Sequence, residues 1–538
     1  MDIAINNAFI PDFKTQSFVK CCVGIEKGRI VRISQTPLKG DITLDVEGNY
    51  LSPGLIDCHC HIESSYLLPS RFGTQAVKRG VLHIVADCHE IANVAGRKGL
   101  EFFIKDSENT PCNILFAVPS CVPATEFATS GGRITLEDVE YFFTHKKVVA
   151  LGELMNYEGV INREEKFVKM IKLAKKYNKV VNGHAPKLTG EKLKAYVSAG
   201  IEDDHENETY EEILEKIRVG LKVFIREGSA EHTEAEAYKI IKEHPDRIMF
   251  CSDDKTAEDL ISIGHIDFNL KKAISLGIKP ILALKVATYN GLIHYGLEEF
   301  AEVKPGNKAY LVIFDENFNV KKLIIDGKLY DSKDVQSRPV DVPEFLTHSF
   351  KLKPLEVIPP IKNHDLCIIA KDGSLITEKL ILSGHTQEYD LENDILKLVN
   401  VERYGYGNTS SAKIKGFGLK KGAIATSVAH DCHNILAVGT SDKAIKTVVN
   451  VIVENQGGLA LFDGKEVVFV PLRIGGIVSD EEVNELVKKL KLIKERVKEL
   501  GSTLTDPFAT LSFMALEVIP HIKLTDKGLF DVDRFCYI

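Results

Sequence analysis

Tryptophan is absent from this chain and methionine occurs only five times in 538 residues. With plentiful Lys, Glu and Ile, that scarcity leans towards a warm-living source. No apolar run reaches the length of a membrane span, so no membrane partner is expected. The opening Met1-Asp2-Ile3-Ala4-Ile5-Asn6-Asn7 has no positive stretch followed by an apolar one and does not read as a secretory signal. There is no basic stripe: the formal net charge is -8 and the pI about 6.1, which argues against a nucleic-acid partner. The 11 cysteines are odd in number, scattered and without a regular framework. That excludes a disulfide scaffold and fits small core thiols in a reducing compartment, so a cytoplasmic location is expected. No internal repeat of useful length and no low-complexity tract interrupts the chain.

What is present is a globular composition, 44% hydrophobic and 27% charged, in a chain long enough for roughly two to four domains. Residues 1–50 alternate apolar and polar side chains on either side of Lys27-Gly28, which reads as a tight hairpin turn. They form the first part of a small β domain. From 51 to 302, short apolar runs such as Val81-Leu82-His83-Ile84-Val85-Ala86 and Ile248-Met249-Phe250-Cys251 alternate with helical stretches such as 164–177 and 191–199. Strand–helix repetition implies a parallel sheet, and about seven or eight units favour a closed (β/α)8 barrel. Residues 303–338 return to strands and are expected to complete the β domain that the barrel interrupts. Pro339, Pro343, Pro354, Pro359 and Pro360 mark 339–360 as a linker. Residues 361–538 read as a further α/β or α+β domain.

The chemistry begins at Asp57-Cys58-His59-Cys60-His61, where an apolar run ends. Side chains alternate faces along a strand, so His59 and His61 point to one side and can grip one metal ion. Cys58 and Cys60 should point the other way, into packing. In a barrel, functional groups gather where strands end. Later strand ends carry Asp87-Cys88-His89-Glu90, Glu153, His184, His205-Glu206 and Ser252-Asp253-Asp254. Each alone is as readily a capping or loop residue. Together they are a set of borderline metal ligands. Hydrolysis at neutral pH needs hydroxide, which a bound divalent metal supplies by acidifying water. Two metals need a bridging anion, and Glu153 is placed to be it. Asp253 is placed to take a proton from the water and pass it to the leaving group.

These motifs resemble the amidohydrolase superfamily. The Pro-Gly-x-Ile-Asp-x-His-x-His start, His184, His205, Asp253 and Lys304-Pro305-Gly306 carry that likeness. Within it the chain is similar to the adenine deaminase family. That likeness rests on His61-Ile62-Glu63-Ser64-Ser65, Asp87-Cys88-His89-Glu90-Ile91-Ala92-Asn93, Gly152-Glu153-Leu154-Met155-Asn156, Ile225-Arg226-Glu227-Gly228-Ser229 and Ser252-Asp253-Asp254. Ser427-Val428-Ala429-His430-Asp431-Cys432-His433-Asn434 and Asn455-Gln456-Gly457-Gly458 extend it to nearly the whole chain. Two positions depart from the pattern: Cys88 where proline is expected, and Tyr310 where many relatives have Asp. Glu153 stands where many superfamily members place a carbamylated lysine.

The resemblance implies a binuclear site holding manganese or iron, with zinc as the other candidate, on His59, His61, Glu153, His184, His205 and Asp253. It implies hydrolysis of adenine to hypoxanthine and ammonia, in purine salvage, by a metal-activated hydroxide attacking C6. Asp253, Glu153 and Glu206 are the expected catalytic groups, and Glu206, Glu227 and Glu90 the candidate acids for the purine ring. It also implies a homo-oligomer, a dimer.

Several residues keep two readings. His83, mid-strand, reads as a core histidine. His89 and Glu90 could reach a metal, the substrate or only their loop. Arg226 and Glu227 read as base contacts or a salt-bridged loop, and Ser252 as a substrate contact. His430 and His433 read as part of a segment folding over the barrel mouth or as neighbours of helix caps at Ser427 and Asp431. The charged stretch 487–499 reads as a solvated amphipathic helix. The competing functions are a cytosine deaminase, an N-acetyl-sugar-phosphate deacetylase, and a barrel without activity that serves as a scaffold.

Overall fold

Alternation in the first fifty residues yields β1 (Ile3–Asp12), β2 (Ser17–Glu26), β3 (Arg29–Ser34), β4 (Ile42–Asp45) and β5 (Tyr50–Pro53) in a computed structural model that describes residues 1–382, 384 and 386–538. Lys27 (φ 49°) and Gly28 (φ 73°) both adopt left-handed backbone, as a two-residue hairpin turn between β2 and β3 requires.

The barrel follows: β6 (Leu55–His61), β7 (Val81–Asp87), β8 (Asn113–Val118), β9 (Val148–Leu154), β10 (Val180–Gly183), β11 (Asp203–Asp204), β12 (Lys222–Arg226), β13 (Ile248–Cys251) and β14 (Asp253–Asp254). Their cores are continuous apolar runs because a parallel sheet is covered on both faces. Parallel ladders run β10-β9-β8-β7-β6-β14 and β11-β12-β13. The eighth strand position is split at Ser252. Its amide and hydroxyl bond Asp57 at 3.0 and 2.5 Å, and the chain then pairs with β6, Asp253 opposite Cys60. Between β10 and β11 the seam is closed largely by side chains. Asn182 Nδ2 and the Gly183 amide donate to the Asp203 carboxylate at 2.8 and 3.2 Å.

The interior of the barrel is packed by Ile56, Cys58, Val85, Ala117, Phe224 and Met249. Cys60 belongs to a different, larger core that includes Phe72 and Ala76. The expectation that both thiols face one way fails here. The β6/β7 register slips between Asp57 and Cys60, so strict alternation is lost within the motif.

β15 (Leu311–Phe314), β16 (Val320–Ile325) and β17 (Lys328–Asp331) join the N-terminal strands in one sheet of order β17-β16-β15-β5-β1-β2-β3, with β4 on β1. The proline-rich stretch after them is largely irregular but packed: Leu346, Phe350 and Ile358 are buried. The remaining chain builds a second large sheet. It contains β18 (Leu366–Lys371), β19 (Ser374–Ile381), β20 (Leu396–Val401), β21 (Thr409–Lys415), β22 (Ala423–Thr426), β23 (Ile435–Gly439), β24 (Gly458–Phe462) and β25 (Val467–Pro471), in the order β19-β18-β21-β20-β23-β22-β24-β25. A small antiparallel sheet of β26 (Ile522–Thr525), β27 (Gly528–Asp531) and β28 (Cys536–Tyr537) closes the chain. The fold is thus α/β, a parallel barrel with a β domain built from flanking segments and a C-terminal domain.

That C-terminal part sits on the barrel mouth. Ser479 N donates to Tyr66 O at 2.9 Å, Asn434 Nδ2 to Thr129 O at 3.1 Å, and Lys494 pairs with Glu258 at 2.7 Å. The helix Val483–Glu499 buries one face through Leu486, Leu490 and Ile493, and Lys494 is engaged rather than solvated. All eleven cysteines are free thiols, and all but Cys536 are buried. No helix among the described residues is long and apolar enough to cross a membrane.

Candidate active site

Strand ends bring the sequence-derived ligand candidates together. His59 and His61 leave β6 with their Nε2 atoms 3.2 Å apart. Asp253 Oδ1 lies 3.1 Å from His61 Nε2 and 3.6 Å from His59 Nε2. Glu153, on β9, divides its two oxygens. Oε1 is 3.4 Å from His61 Nε2, while Oε2 is 2.8 Å from His184 Nδ1 and 3.3 Å from His205 Nε2. All of these side chains are buried except His184, which is half-buried.

The donor chemistry suits cations. His61 Nδ1 donates to the Asp87 carbonyl at 2.8 Å, which leaves a lone pair on Nε2 facing His59, Asp253 and Glu153. Glu153 Oε2 is buried and has no hydrogen-bond donor among the described residues. Imidazole lone pairs and carboxylate oxygens converging in a dry pocket call for positive charge between them. Overlapping groups of side chains converge on places for it, among them His59, His61 and Asp253; His59, Glu153 and His205; His61, His89 and Glu153; and His184, His205 and Glu206.

Anchors beneath these groups explain the positions. The Glu153 amide donates to Asp87 Oδ2 at 2.9 Å. A Cβ on Gly152 would fall 2.3 Å from that same oxygen, so the residue before Glu153 has to be glycine. Asp57 holds Ser252 and accepts from His265 Nε2 at 2.6 Å, fixing the turn that aims Asp253. Asp253 itself has φ 52°, a left-handed conformation Asp tolerates better than most residues. Its outer oxygen accepts from Arg226 Nη1 at 2.7 Å. Arg226 is buried and also bonds Glu206 and Glu231.

A cavity of about 100 Å³ opens between the barrel mouth and the C-terminal sheet. Asp253, Asp254, Glu63 and Glu90 line it from the barrel side; Val428, His430, His433, Ile477 and Phe513 line it from the other. Glu90 is almost fully buried and accepts from both His430 Nδ1 and His433 Nε2. Because the Ala429 amide donates to His433 Nδ1 at 3.3 Å, His433 gives its one proton to Glu90. Phe513 stacks on the His430 ring with centroids 4.4 Å apart. Burial disfavours the His430 imidazolium, but the Glu90 carboxylate, then Asp254 and Asp431, outweigh it and hold its pKa at about 9. Burial pushes the Glu63 carboxyl up to about 8 and the His89 imidazole down to about 4.

The other sequence-derived candidates fall as follows. His89 borders the cluster, Nδ1 3.7 Å from Glu153 Oε1. Glu206 lies 3.8 Å from His184 Nδ1. Glu227 is turned away, bonded to Tyr238, Lys272 and His232. Ser252 also faces away, held by Asp57. Ser427 and Asp431 cap no helix, since the segment joins β22 to β23; Ser427 Oγ bonds the carbonyls of Gly458 and Gly476. His83 is fully buried beside Phe300 and Tyr310, apart from the cluster. Sequence reasoning missed Phe513, which has no motif. It also missed the anchoring work of Asp57 and Asp87, although both lie inside the motifs it singled out.

Residues 50–330 match the amidohydrolase family, and residues 374–536 match the adenine deaminase C-terminal domain. The chain is 37% identical to an adenine deaminase of Methanosarcina mazei, covering 96% of this chain and 95% of that one. It is 40% identical to an adenine deaminase of Methanosphaera stadtmanae, covering 90% and 91%, and 39% identical to one of Sulfurovum sp., covering 98% of each.

Proposed function

The chain belongs to the adenine deaminase family of amidohydrolases, and we propose on that footing that it hydrolyses adenine to hypoxanthine and ammonia. The observation that carries the proposal is the division of Glu153, one oxygen towards His61 and the other towards His184 and His205. Amidohydrolases of this kind use divalent metal, and the candidate ligand groups here suit it. In our reading His59, His61 and Asp253 would hold one ion and His184 and His205 the other, with Glu153 shared between the two sets. Manganese or iron is proposed, with zinc as the other candidate. Divalent metal in such a site supplies hydroxide at neutral pH by lowering the pKa of water.

The chain's own residues do the rest. Asp253 takes a proton from the attacking water and returns it to the departing amine. Arg226 holds the outer oxygen of Asp253 in a fixed direction and balances its charge. Glu206, joined to Arg226, keeps that guanidinium in place. The lining of Val428, Ile477 and Phe513 offers apolar surface to a flat heterocycle, and the carboxylates opposite, with His430 and His433 beside the apolar groups, offer acceptors and donors to its edge. A complete donor set argues against the scaffold reading. A cytoplasmic homodimer is the state we propose, on the free thiols and on the habit of such barrels.

The test is release of ammonia and hypoxanthine from adenine by protein reloaded with Mn²⁺ or Fe²⁺, beside a chelated control. Metal-dependent turnover is expected. An intact, metal-loaded protein that leaves adenine untouched rejects this substrate and turns attention to cytosine and acetylated amino-sugar phosphates.

A further inference from the structure

Attack of hydroxide at C6 of a purine pushes an electron pair onto the adjacent ring nitrogen N1, and that pair needs a proton. The carboxylates that sequence offers for this task are engaged elsewhere. Glu227 faces away from the cavity, bonded to Tyr238 and Lys272. Glu206 is paired with Arg226. Glu90 accepts from two imidazoles, an arrangement that keeps it anionic.

We propose that His430, carried over the barrel mouth by the C-terminal sheet and hydrogen-bonded to Glu90, is the group that protonates the purine ring at N1. The proposal rests on the adenine reading above. His430 lines the same cavity as Asp253. Its Nδ1 is on Glu90, and its Nε2 has no hydrogen-bond partner among the described residues. Phe513 fixes the plane of the ring. The loop itself is rigid: Arg403, fully buried, donates to His433 O and Gly475 O, and the Tyr404 hydroxyl donates to Cys432 O at 2.7 Å. His433 suffices as the structural tie to Glu90, since it is wholly buried while His430 keeps access to the cavity.

The proton count closes. Asp253 takes one proton of water as the O–C6 bond forms, and the C6–N1 π pair takes the His430 proton. On collapse, the proton on Asp253 joins the amine as the C6–N6 bond breaks, releasing ammonia. The remaining hydroxyl proton returns to His430 as the C6 carbonyl forms. Hypoxanthine keeps its proton on N1, and the enzyme is restored.

The experiment compares kcat and kcat/KM for adenine across pH in metal-loaded, full-length wild type, His430→Gln and Glu90→Gln, with metal content measured alongside. The charged and titratable groups around His430 are Glu90, Asp254 and Asp431 on the acidic side and His89 and His433 on the other. Wild type is expected to lose kcat/KM as pH rises through about 9. His430→Gln is expected to lower kcat by roughly 10²–10⁴-fold with normal metal content, and to abolish that alkaline decline. Glu90→Gln keeps the imidazole but removes its anion, so the decline moves to lower pH. Wild type that stays active well above pH 9, a decline unmoved in Glu90→Gln, or His430→Gln within tenfold of wild type each overturns the role. Should His430→Gln fail to fold, the first two still decide. Inactivity of wild type itself rejects adenine and the inference together, whereas activity in wild type and His430→Gln alike rejects only His430.

Discussion

Arg226 Nη1 and the outer oxygen of Asp253 lie 2.7 Å apart, while the inner oxygen of Asp253 faces His61 at 3.1 Å. The carboxylate is therefore held from both sides, and only small motions are open to it. A group so placed can exchange a proton with water at the cluster without losing its aim. Replacing it by Asn keeps the shape and removes the basicity. We expect Asp253→Asn to lower kcat for adenine by about 10³-fold. Metal content measured by elemental analysis should stay near wild type, because His59, His61 and Glu153 remain. Near-normal turnover in that variant would sink the role assigned to Asp253.

Glu153 makes a different prediction, because both of its oxygens are committed. Glu153→Ala removes the anion that has His61 at one oxygen and His184 and His205 at the other. The uncompensated repulsion between two cations should then expel at least one of them. The expected result is a fall in bound Mn²⁺ per chain and a loss of the melting-temperature rise that Mn²⁺ gives wild type. Unchanged stoichiometry would show that Glu153 does not bridge.

The gathering of His59, His61, Glu153, His184, His205 and Asp253 in one place was legible because a parallel barrel fixes where strands end, and the apolar runs mark those ends. Position at a strand end does not fix which way the side chain turns. Glu227 and Ser252 sit at such ends and face away, one towards Lys272 and the other towards Asp57. Cys58 and Cys60 parted company because a register slip breaks the alternation that the reading assumed. The partnership of Glu90 with His430 spans 340 residues of sequence, and no local pattern could have disclosed it. Phe513 belongs to no motif, and only the docking of the C-terminal sheet places it over the mouth.

That docking can be probed at Lys494, which lies 2.7 Å from Glu258 of the barrel and 2.6 Å from Asp506. Its side chain is 21% exposed. Burial opposes its charge, but Asp506 and Glu258 outweigh that and raise its pKa well above the usual lysine range. Lys494→Met leaves two carboxylates facing each other without a cation. Breaking a largely buried ion pair from one side costs about 3 kcal/mol, and denaturant unfolding of the metal-loaded protein should show a loss of that order. A loss below about 0.5 kcal/mol would place the pair with ordinary surface bridges.

Lys523 gives the opposite sign. It is fully buried on β26, donates to Leu375 O at 2.9 Å, and has no carboxylate at salt-bridge distance among the described residues. Burial pushes its pKa down from 10.5 to about 7. Between those values the unfolded chain holds a proton that the folded protein lacks. Folding stability therefore rises with pH across that window, by at most about 1.4 kcal/mol per pH unit from this one group. Below pH 7 the full penalty applies; above 10.5 it is gone. Lys523→Met removes the titration while keeping most of the side-chain volume. The variant should be more stable than wild type at pH 7, less distinctly so at pH 9, and equal to it by about pH 10.5. Unfolding midpoints of both proteins at these three values of pH measure this directly. A variant that is less stable at pH 7, or a difference that does not shrink as pH rises, would mean that Lys523 has a partner in solution that offsets its burial.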